Sequence, residues 1–221
     1  MPMPVEWYRT TDHGEDAKAE FSRRYGRARH PHRIQYKQVK AVCLMEAGEL
    51  EGIRWAQDLL TEITADQDAY RYQRASAFEL LAEARRKAGQ WKLAVQALER
   101  CIELAGPTMN GTSGLPDLTL AEVLLDNDPS ALPTVASLLD SQPLVGRIKF
   151  NSQLFRYLAA TARAHRALGQ DPAPPARRAL DLLEDDKPAF PRHPDVGRVH
   201  ASAQTVRELH DLARDVPGDA S

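Results

Sequence analysis

The sequence predicts an all-α fold, and three features of the chain carry that prediction. Alanine and leucine far outnumber valine and isoleucine, which favours helices over strands. Apolar residues recur at intervals of three and four along most segments, as they do on one face of a helix. Short glycine-containing turns separate these segments into pairs, which is typical of antiparallel helices. We therefore expect a right-handed superhelical solenoid of about ten antiparallel helices, with a single domain over residues 1–215 and a frayed tail at 216–221.

The first three predicted helices lie between residues 15 and 65. Residues 15–29 form one helix, which ends before His30-Pro31. Residues 32–47 and 51–65 then form a helical pair around a turn that begins at Gly48. The first helix of the pair has Ala41 in a small position, where two helices can approach closely. The apolar face of the second helix consists of Trp55, Ala56, Leu59, Leu60 and Ile63.

The clearest helical pair runs from residue 75 to residue 106, around the turn Gly89-Gln90. Both helices repeat their packing positions at helical spacing: Phe78, Leu81, Ala82 and Arg85 on the first, and Trp91, Ala94, Val95, Leu98, Cys101 and Ile102 on the second. The stretch resembles a tetratricopeptide repeat (TPR) in its small Ala82 and Ala94, its turn glycine and its aromatic Trp91. It departs from that family at Arg85, where the family usually has an aromatic residue, and at the position where the family usually has a closing proline. A generic antiparallel helix pair is the alternative.

The C-terminal half shows weaker copies of this pattern. Residues 116–125 and 129–140 predict a short hairpin capped by Asp128. Residues 147–168 form a longer helix ending at Gly169, and residues 173–184 follow it with two prolines in the first turn, where proline is tolerated. Residues 194–214 are expected to form a terminal helix that caps the stack.

Most of the chain also resembles a set of bacterial TPR-like proteins. The matching residues are Trp7-Tyr8-Arg9, Phe21, Ala28-Arg29, Arg33, Gln35-Tyr36 and His193-Pro194-Asp195-Val196-Gly197. This resemblance implies a helical-hairpin fold and brings no activity with it.

Composition narrows the classes of function. The chain has 29 basic and 31 acidic residues, which excludes a uniformly basic nucleic-acid-binding protein. Its apolar runs fall short of the roughly 18 residues that span a bilayer, and its first residues lack the pattern of a signal peptide. Cys43 and Cys101 lie far apart on predicted apolar faces, where reduced cysteine acts as a small hydrophobe. We expect a cytoplasmic protein with no membrane partner.

Motifs for catalysis or cofactor binding are missing from the sequence. It contains no G-x-S-x-G, neither of the glycine-rich phosphate loops and no Cys/His pattern of a zinc site. We therefore expect no cofactor, no metal and no catalysis. An enzyme with an unrecognised site is the third hypothesis, after the two binding functions that follow.

Charged residues are unevenly distributed along the chain. Residues 106–146 contain acidic side chains and no Lys or Arg, whereas residues 23–40 contain seven cations and no acid: Arg23, Arg24, Arg27, Arg29, Arg33, Lys37 and Lys40. The Arg23–Lys40 segment could bind nucleic acid or another polyanion, with Tyr25 and Tyr36 as stacking platforms. That function is the alternative hypothesis.

The leading hypothesis is a non-catalytic protein–protein interaction module. In a TPR-like pair the first helix lines the concave surface, and this register predicts a groove formed by Gln35, Gln38, Glu79, Glu83, Arg86, Arg156, Arg163 and Arg166. The last three share one helix face because they are seven and three residues apart. The expected partner is a peptide or protein segment of acidic character, which arginine would orient. Internal ion pairs with Asp126 or Asp140, or a solvated outer face, would explain the same spacing.

Overall fold

The computed structural model describes residues 6–184, 190, 192–193 and 196–214. These residues form eleven α-helices and two short 3-10 turns, with no strand among them and one isolated bridge between Phe190 and His193. The predicted all-α class is therefore confirmed. The chain divides into two compact units, Met1–Pro116 and Asp117–Ser221, each of which is described by itself.

The first unit contains five helices. They are α1 (Glu15–Arg27), α2 (His30–Ala47), α3 (Leu50–Ala65), α4 (Arg71–Lys87) and α5 (Trp91–Ala105), the last followed by a 3-10 turn at Gly106–Thr108. α3 packs against both α2 and α4, α4 packs along α5, and α2 also touches α4. Two antiparallel pairs, α2/α3 and α4/α5, therefore lie against each other.

Two glycines set the turns within these pairs. Gly48, after α2, and Gly89, between α4 and α5, have φ values of 77° and 73°, a left-handed conformation that glycine adopts without a Cβ penalty. The predicted close-packing positions are confirmed, because Ala82 and Ala94 are fully buried. Trp91 is largely buried at the start of α5.

One cluster of buried side chains in the first unit extends across α1–α4. Trp55 and Phe21 meet edge to face in it, with ring centroids 5.6 Å apart. Its members are Phe21, Ala41, Leu44, Met45, Ile53, Trp55, Ala56, Leu59, Leu60, Ile63, Ala77, Leu81 and Ala84. Because the α3 members recur at three- and four-residue spacing, the sequence pattern alone identifies this face.

A buried lysine attaches the N-terminal segment to α2. The Lys40 ammonium donates to the carbonyl oxygens of Thr10 (2.6 Å) and Asp12 (3.0 Å) and to the Thr10 hydroxyl (3.0 Å). It also lies 4.7 Å from the centre of the Trp55 ring, and Lys40 as a whole is 1% exposed. Burial lowers the pKa of this ammonium.

Replacing Lys40 by methionine is expected to remove a pH-dependent part of the stability. The pKa of Lys40 is lower in the folded chain than its ordinary value of 10.5. At a pH between the folded and the ordinary pKa, the unfolded chain therefore binds more protons than the folded chain. Wild-type stability therefore rises as pH rises through the folded pKa towards 10.5, and this contribution is absent from Lys40→Met. The measurement is urea unfolding of both proteins between about pH 8 and the ordinary pKa of lysine.

Lys37→Met is the matched control, with the opposite sign. Burial lowers the pKa of Lys37, but hydrogen bonds to Glu62 and Tyr25 outweigh it and raise the pKa above 10.5. The stabilisation from Lys37 is therefore complete at every pH below 10.5 and is lost only as pH rises through the folded pKa, so Lys37→Met should keep the wild-type pH dependence within the measured range. Identical pH dependence in the wild type and Lys40→Met would contradict this account of the N-terminal segment.

The second unit contains six further helices. They are α6 (Pro116–Asn127, which begins at the last residue of the first unit), α7 (Leu132–Leu139), α8 (Gln142–Arg147), α9 (Asn151–Ala167), α10 (Ala173–Asp181) and α11 (Ala203–Arg214), with a 3-10 turn at Pro129–Ala131. α9 packs against α7, α10 and α11, and α10 packs against α11. The predicted cap at Asp128 is confirmed, because its carboxylate accepts from the Ser130 backbone N–H at 3.1 Å.

Two features of the second unit differ from the prediction. α8 is an additional helix, and the terminal helix begins at Ala203 rather than at 194. Gly197 has a φ of 80°, and its carbonyl accepts from the Ser152 backbone N–H at 2.9 Å, so the chain there is tied to the start of α9. The Ser202 hydroxyl then accepts from Thr205 N–H at 3.1 Å and caps α11. Residues 194, 195 and the predicted frayed tail at 216–221 lie outside the described residues.

Candidate functional site

The candidate site in the second unit is a cleft of about 390 Å³ between α6, the following 3-10 turn, α7, α9 and α11. Its floor and walls are mainly aliphatic, and its rim carries two arginines and a glutamate. The lining residues are Leu125, Pro129, Leu132, Arg163, Arg166, Ala167, Glu208 and Leu212. An apolar cleft with a few polar groups at its edge is the usual form of a recognition site.

The two arginines at the rim have different surroundings. Arg163 is shared between two carboxylates, with Nη2 at 2.7 Å from Asp126 Oδ1 and Nε at 3.2 Å from Glu208 Oε1. Its side chain thereby connects α6, α9 and α11. Arg166 lies one turn further along α9, lines the same cleft and is exposed, whereas Arg163 is partly buried.

Arg156 makes its contacts with α6. Its Nε and Nη2 atoms bind the two oxygens of Glu122 at 2.9 and 2.5 Å, and Nη2 also donates to Thr119 Oγ1 at 3.0 Å. Such a two-pronged pair fixes the orientation of both side chains. Arg156 is therefore placed to hold α9 on α6. Of the predicted arginines, Arg163 and Arg166 share the cleft lining and Arg156 does not.

The other predicted groove residues lie in the first unit, on α2 and α4. The Glu79 carboxylate already accepts two hydrogen bonds from Ser113. The Ser113 backbone N–H donates to one oxygen at 2.7 Å and the hydroxyl donates to the other at 2.5 Å. Gly111 lies so close to the Tyr72 carbonyl that a Cβ would not fit. The segment 109–115 therefore covers part of α4, the surface that the repeat register assigns to a ligand.

The remaining four residues of the predicted groove are less constrained. Gln38 donates to the Gln73 carbonyl at 3.4 Å, and Glu83 pairs with Arg86 at 3.2 Å one turn away on the same helix. Gln35 is exposed on α2. These contacts leave polar atoms of the four side chains accessible.

The basic segment of the first unit is largely engaged in folding contacts. Lys40 is buried as described, Lys37 pairs with Glu62 at 2.5 Å, and Arg33 donates to the carbonyls of Ala28 and Gly26, both at 3.1 Å. Arg23 and Arg24 both pair with Glu20. The acid-free stretch of sequence is therefore partly neutralised by acids from outside it.

The two tyrosines proposed as stacking platforms are also in contact with other side chains. Tyr25 stacks on Phe21 with centroids 5.9 Å apart and carries the Lys37 ammonium over its ring at 4.7 Å. Tyr36 meets the rings of Trp7 and Tyr8 at 5.2 and 4.6 Å. Binding of a long nucleic acid would have to compete with these contacts.

Within the described residues, no group of three or more His, Cys, Asp or Glu side chains could hold a metal ion. None of the described helices is long and apolar enough to cross a membrane. Cys101 is buried and Cys43 is partly buried, as the core interpretation expects.

Comparison with known proteins gave no match to a protein-family model, a curated protein or a solved structure. The TPR-like interpretation therefore rests on the repeat pattern of the sequence.

Sequence reasoning did not identify six of the cleft residues: Leu125, Pro129, Leu132, Ala167, Glu208 and Leu212. Each lies on a helical segment whose apolar or charged pattern is ordinary. Their convergence depends on tertiary packing, so neither spacing nor residue type distinguishes them from other surface and core positions.

Proposed function

We propose that the protein is a non-catalytic interaction module and that the cleft of the second unit docks a peptide segment of a partner protein. One observation carries the proposal: an aliphatic floor is bordered by Arg166, an exposed cation, and by the Arg163 network, which stiffens the rim. Apolar burial would supply affinity and the guanidinium would supply orientation.

The lining predicts the chemistry of the docked segment. The floor between Leu125, Leu132 and Leu212 suits a bulky aliphatic or aromatic side chain. Arg166 is the exposed arginine of the lining, so we expect a ligand carboxylate to contact its guanidinium. The expected motif is therefore an Asp or Glu close in sequence to Leu, Ile, Met or Phe.

The chemistry of the cleft supports binding rather than catalysis. Its lining includes no Ser, Cys, His or Lys, and its one carboxylate, Glu208, lies 3.2 Å from the Arg163 guanidinium.

A repeat architecture is part of the same proposal. Packing of α3 against both α2 and α4, together with contact between α2 and α4, is the neighbour pattern of two stacked TPR-like hairpins. We assign the first unit to such hairpins with a right-handed superhelical stacking. This assignment leaves the docking proposal unchanged, since the cleft is built wholly within the second unit.

The test is selection of peptides from a random display library on the full-length chain, followed by affinity measurement with a synthetic peptide. We expect enriched sequences to pair an acid with a bulky apolar residue. Arg166→Gln should weaken the selected peptide about tenfold, the loss of roughly one charge-assisted hydrogen bond.

Arg178→Gln is the matched control, because Arg178 is an exposed arginine on α10 outside the cleft. It should leave the affinity unchanged. Enrichment of no motif, or equal weakening by the two substitutions, would refute docking at this cleft.

A further inference from the structure

A second cleft lies in the first unit, where α1 ends and α2 begins. Its volume is about 320 Å³, and it is lined by two aromatic side chains, two arginines and one alanine: Trp7, Arg24, Arg27, Ala28 and Tyr36. This volume is at the small end of the range for small-molecule sites. The cleft does not involve the residues of the proposed peptide site.

The backbone at this cleft is held in place from α2. Arg33 donates from Nε to the Ala28 carbonyl and from Nη2 to the Gly26 carbonyl, both at 3.1 Å. These carbonyls belong to the end of α1, where helical acceptors lack partners of their own. The position of Ala28 in the cleft wall is therefore fixed by a side chain that does not itself line the cleft.

The aromatic wall is also pre-formed. The Trp7 and Tyr36 rings meet at 60° with centroids 5.2 Å apart, and Tyr8 supports both, at 5.4 Å from Trp7 and 4.6 Å from Tyr36. Lys40 attaches the adjacent residues Thr10 and Asp12 to α2. A ligand would therefore meet an aromatic surface that is already ordered.

The cations of this cleft face little compensating charge. The Arg27 side chain is exposed and makes no hydrogen bond or ion pair with any described residue, and the same is true of the Arg29 side chain. Arg24 uses its Nε atom on Glu20, at 2.5 Å, a carboxylate that it shares with Arg23. Arg24 and Arg27 are three residues apart on α1 and thus project from one face.

We propose that this cleft binds a small phosphate monoester with a planar organic ring, the phosphate lying between Arg24 and Arg27 and the ring against Trp7. Two guanidiniums match a dianion in charge and in hydrogen-bonding geometry. An indole surface beside them suits a planar ring, as in base stacking on aromatic side chains.

The same contacts favour a small ligand over a nucleic-acid strand. Arg33, Lys37 and Lys40 are engaged in folding contacts, so few of the seven cations between residues 23 and 40 remain for phosphates. A single phosphate monoester has no condensed counterion atmosphere to release, so its log affinity should fall only weakly with log salt. A strand that uses the whole segment would show a much steeper slope.

The experiment follows indole N–H signals of the full-length, ¹⁵N-labelled chain by nuclear magnetic resonance during titration with adenosine 5′-monophosphate. The Trp7 signal, identified by its loss in Trp7→Phe, should shift and saturate. Adenosine and inorganic phosphate, which separate the two halves of the probe, should each bind about tenfold more weakly or worse.

Arg27→Gln should weaken the monophosphate about tenfold, whereas Arg100→Gln, at an exposed arginine of α5, should not. The proposal is overturned by an unchanged Trp7 signal, by equal affinity for adenosine, by equal effects of the two substitutions, or by tighter binding of a uridine 20-mer with a steep salt slope.

Discussion

Replacing Asp117 by alanine is expected to lower the free energy of unfolding by about 2–4 kcal/mol, because it leaves Arg147 buried without its carboxylate. Asp117 lies in the first turn of α6, where its negative charge also favours the helix dipole. One carboxylate oxygen pairs with Arg147 Nη2 of α8, and the other accepts from the Leu118 backbone N–H at 3.0 Å. The Asp117 side chain is only 9% exposed and the Arg147 side chain only 17%.

The expected loss of stability is large because the Asp117–Arg147 pair is buried, so an exposed ion pair is the right control. Glu51 and Arg54 form an ion pair on α3 with side chains 65% and 59% exposed, and Glu51→Ala should change stability by at most about 0.5 kcal/mol. Urea unfolding of both variants provides the comparison. Equal losses from Asp117→Ala and Glu51→Ala would show that the α6–α8 pair has no special role.

Sequence reasoning predicted the helices best where periodicity and turn chemistry agree. The pair α4/α5 is the clearest case, because apolar spacing, small residues and a left-handed glycine all indicate the same hairpin. α8 was not predicted because it has six residues, too few for a helical period to be recognised. The start of α11 was misplaced because Gly197 and Ser202 interrupt a pattern that looks continuous by composition.

Charge patterns were harder to interpret than apolar ones. The sequence shows that cations at residues 23–40 lack acidic neighbours in the chain, but Lys37 finds Glu62 on another helix and Lys40 finds carbonyls of the N-terminal segment. Likewise Arg156 and Arg163 share a face by spacing. Pairing with Asp126 was one of the alternatives that the sequence offered, and the structure shows it at Arg163, whereas Glu122 and Glu208 are partners that only tertiary packing brings to these arginines. Long side chains can pair with groups that are distant in the sequence but close in the fold. Distance along the sequence therefore does not predict which cations remain accessible to a ligand.

The same limit applies to the candidate site. Arg163 and Arg166 were predicted from helical spacing, and both do line the cleft of the second unit. The aliphatic floor was not predicted, because Leu132 and Leu212 belong to segments 80 residues apart in the chain. Spacing placed these two arginines on one helix face, but it could not show which aliphatic residues lie beside them in the cleft.

A charge-swap cycle between Arg166 and the acidic residue of a selected peptide tests docking at the cleft most directly. Four affinities are measured: wild-type chain and Arg166→Glu, each with the original peptide and with a peptide in which the acid is replaced by lysine. If the two groups meet, each single reversal should weaken binding more than tenfold, and the double reversal should recover at least tenfold of that loss. Independent losses that simply add, with no recovery in the doubly reversed pair, would contradict recognition of the peptide by Arg166.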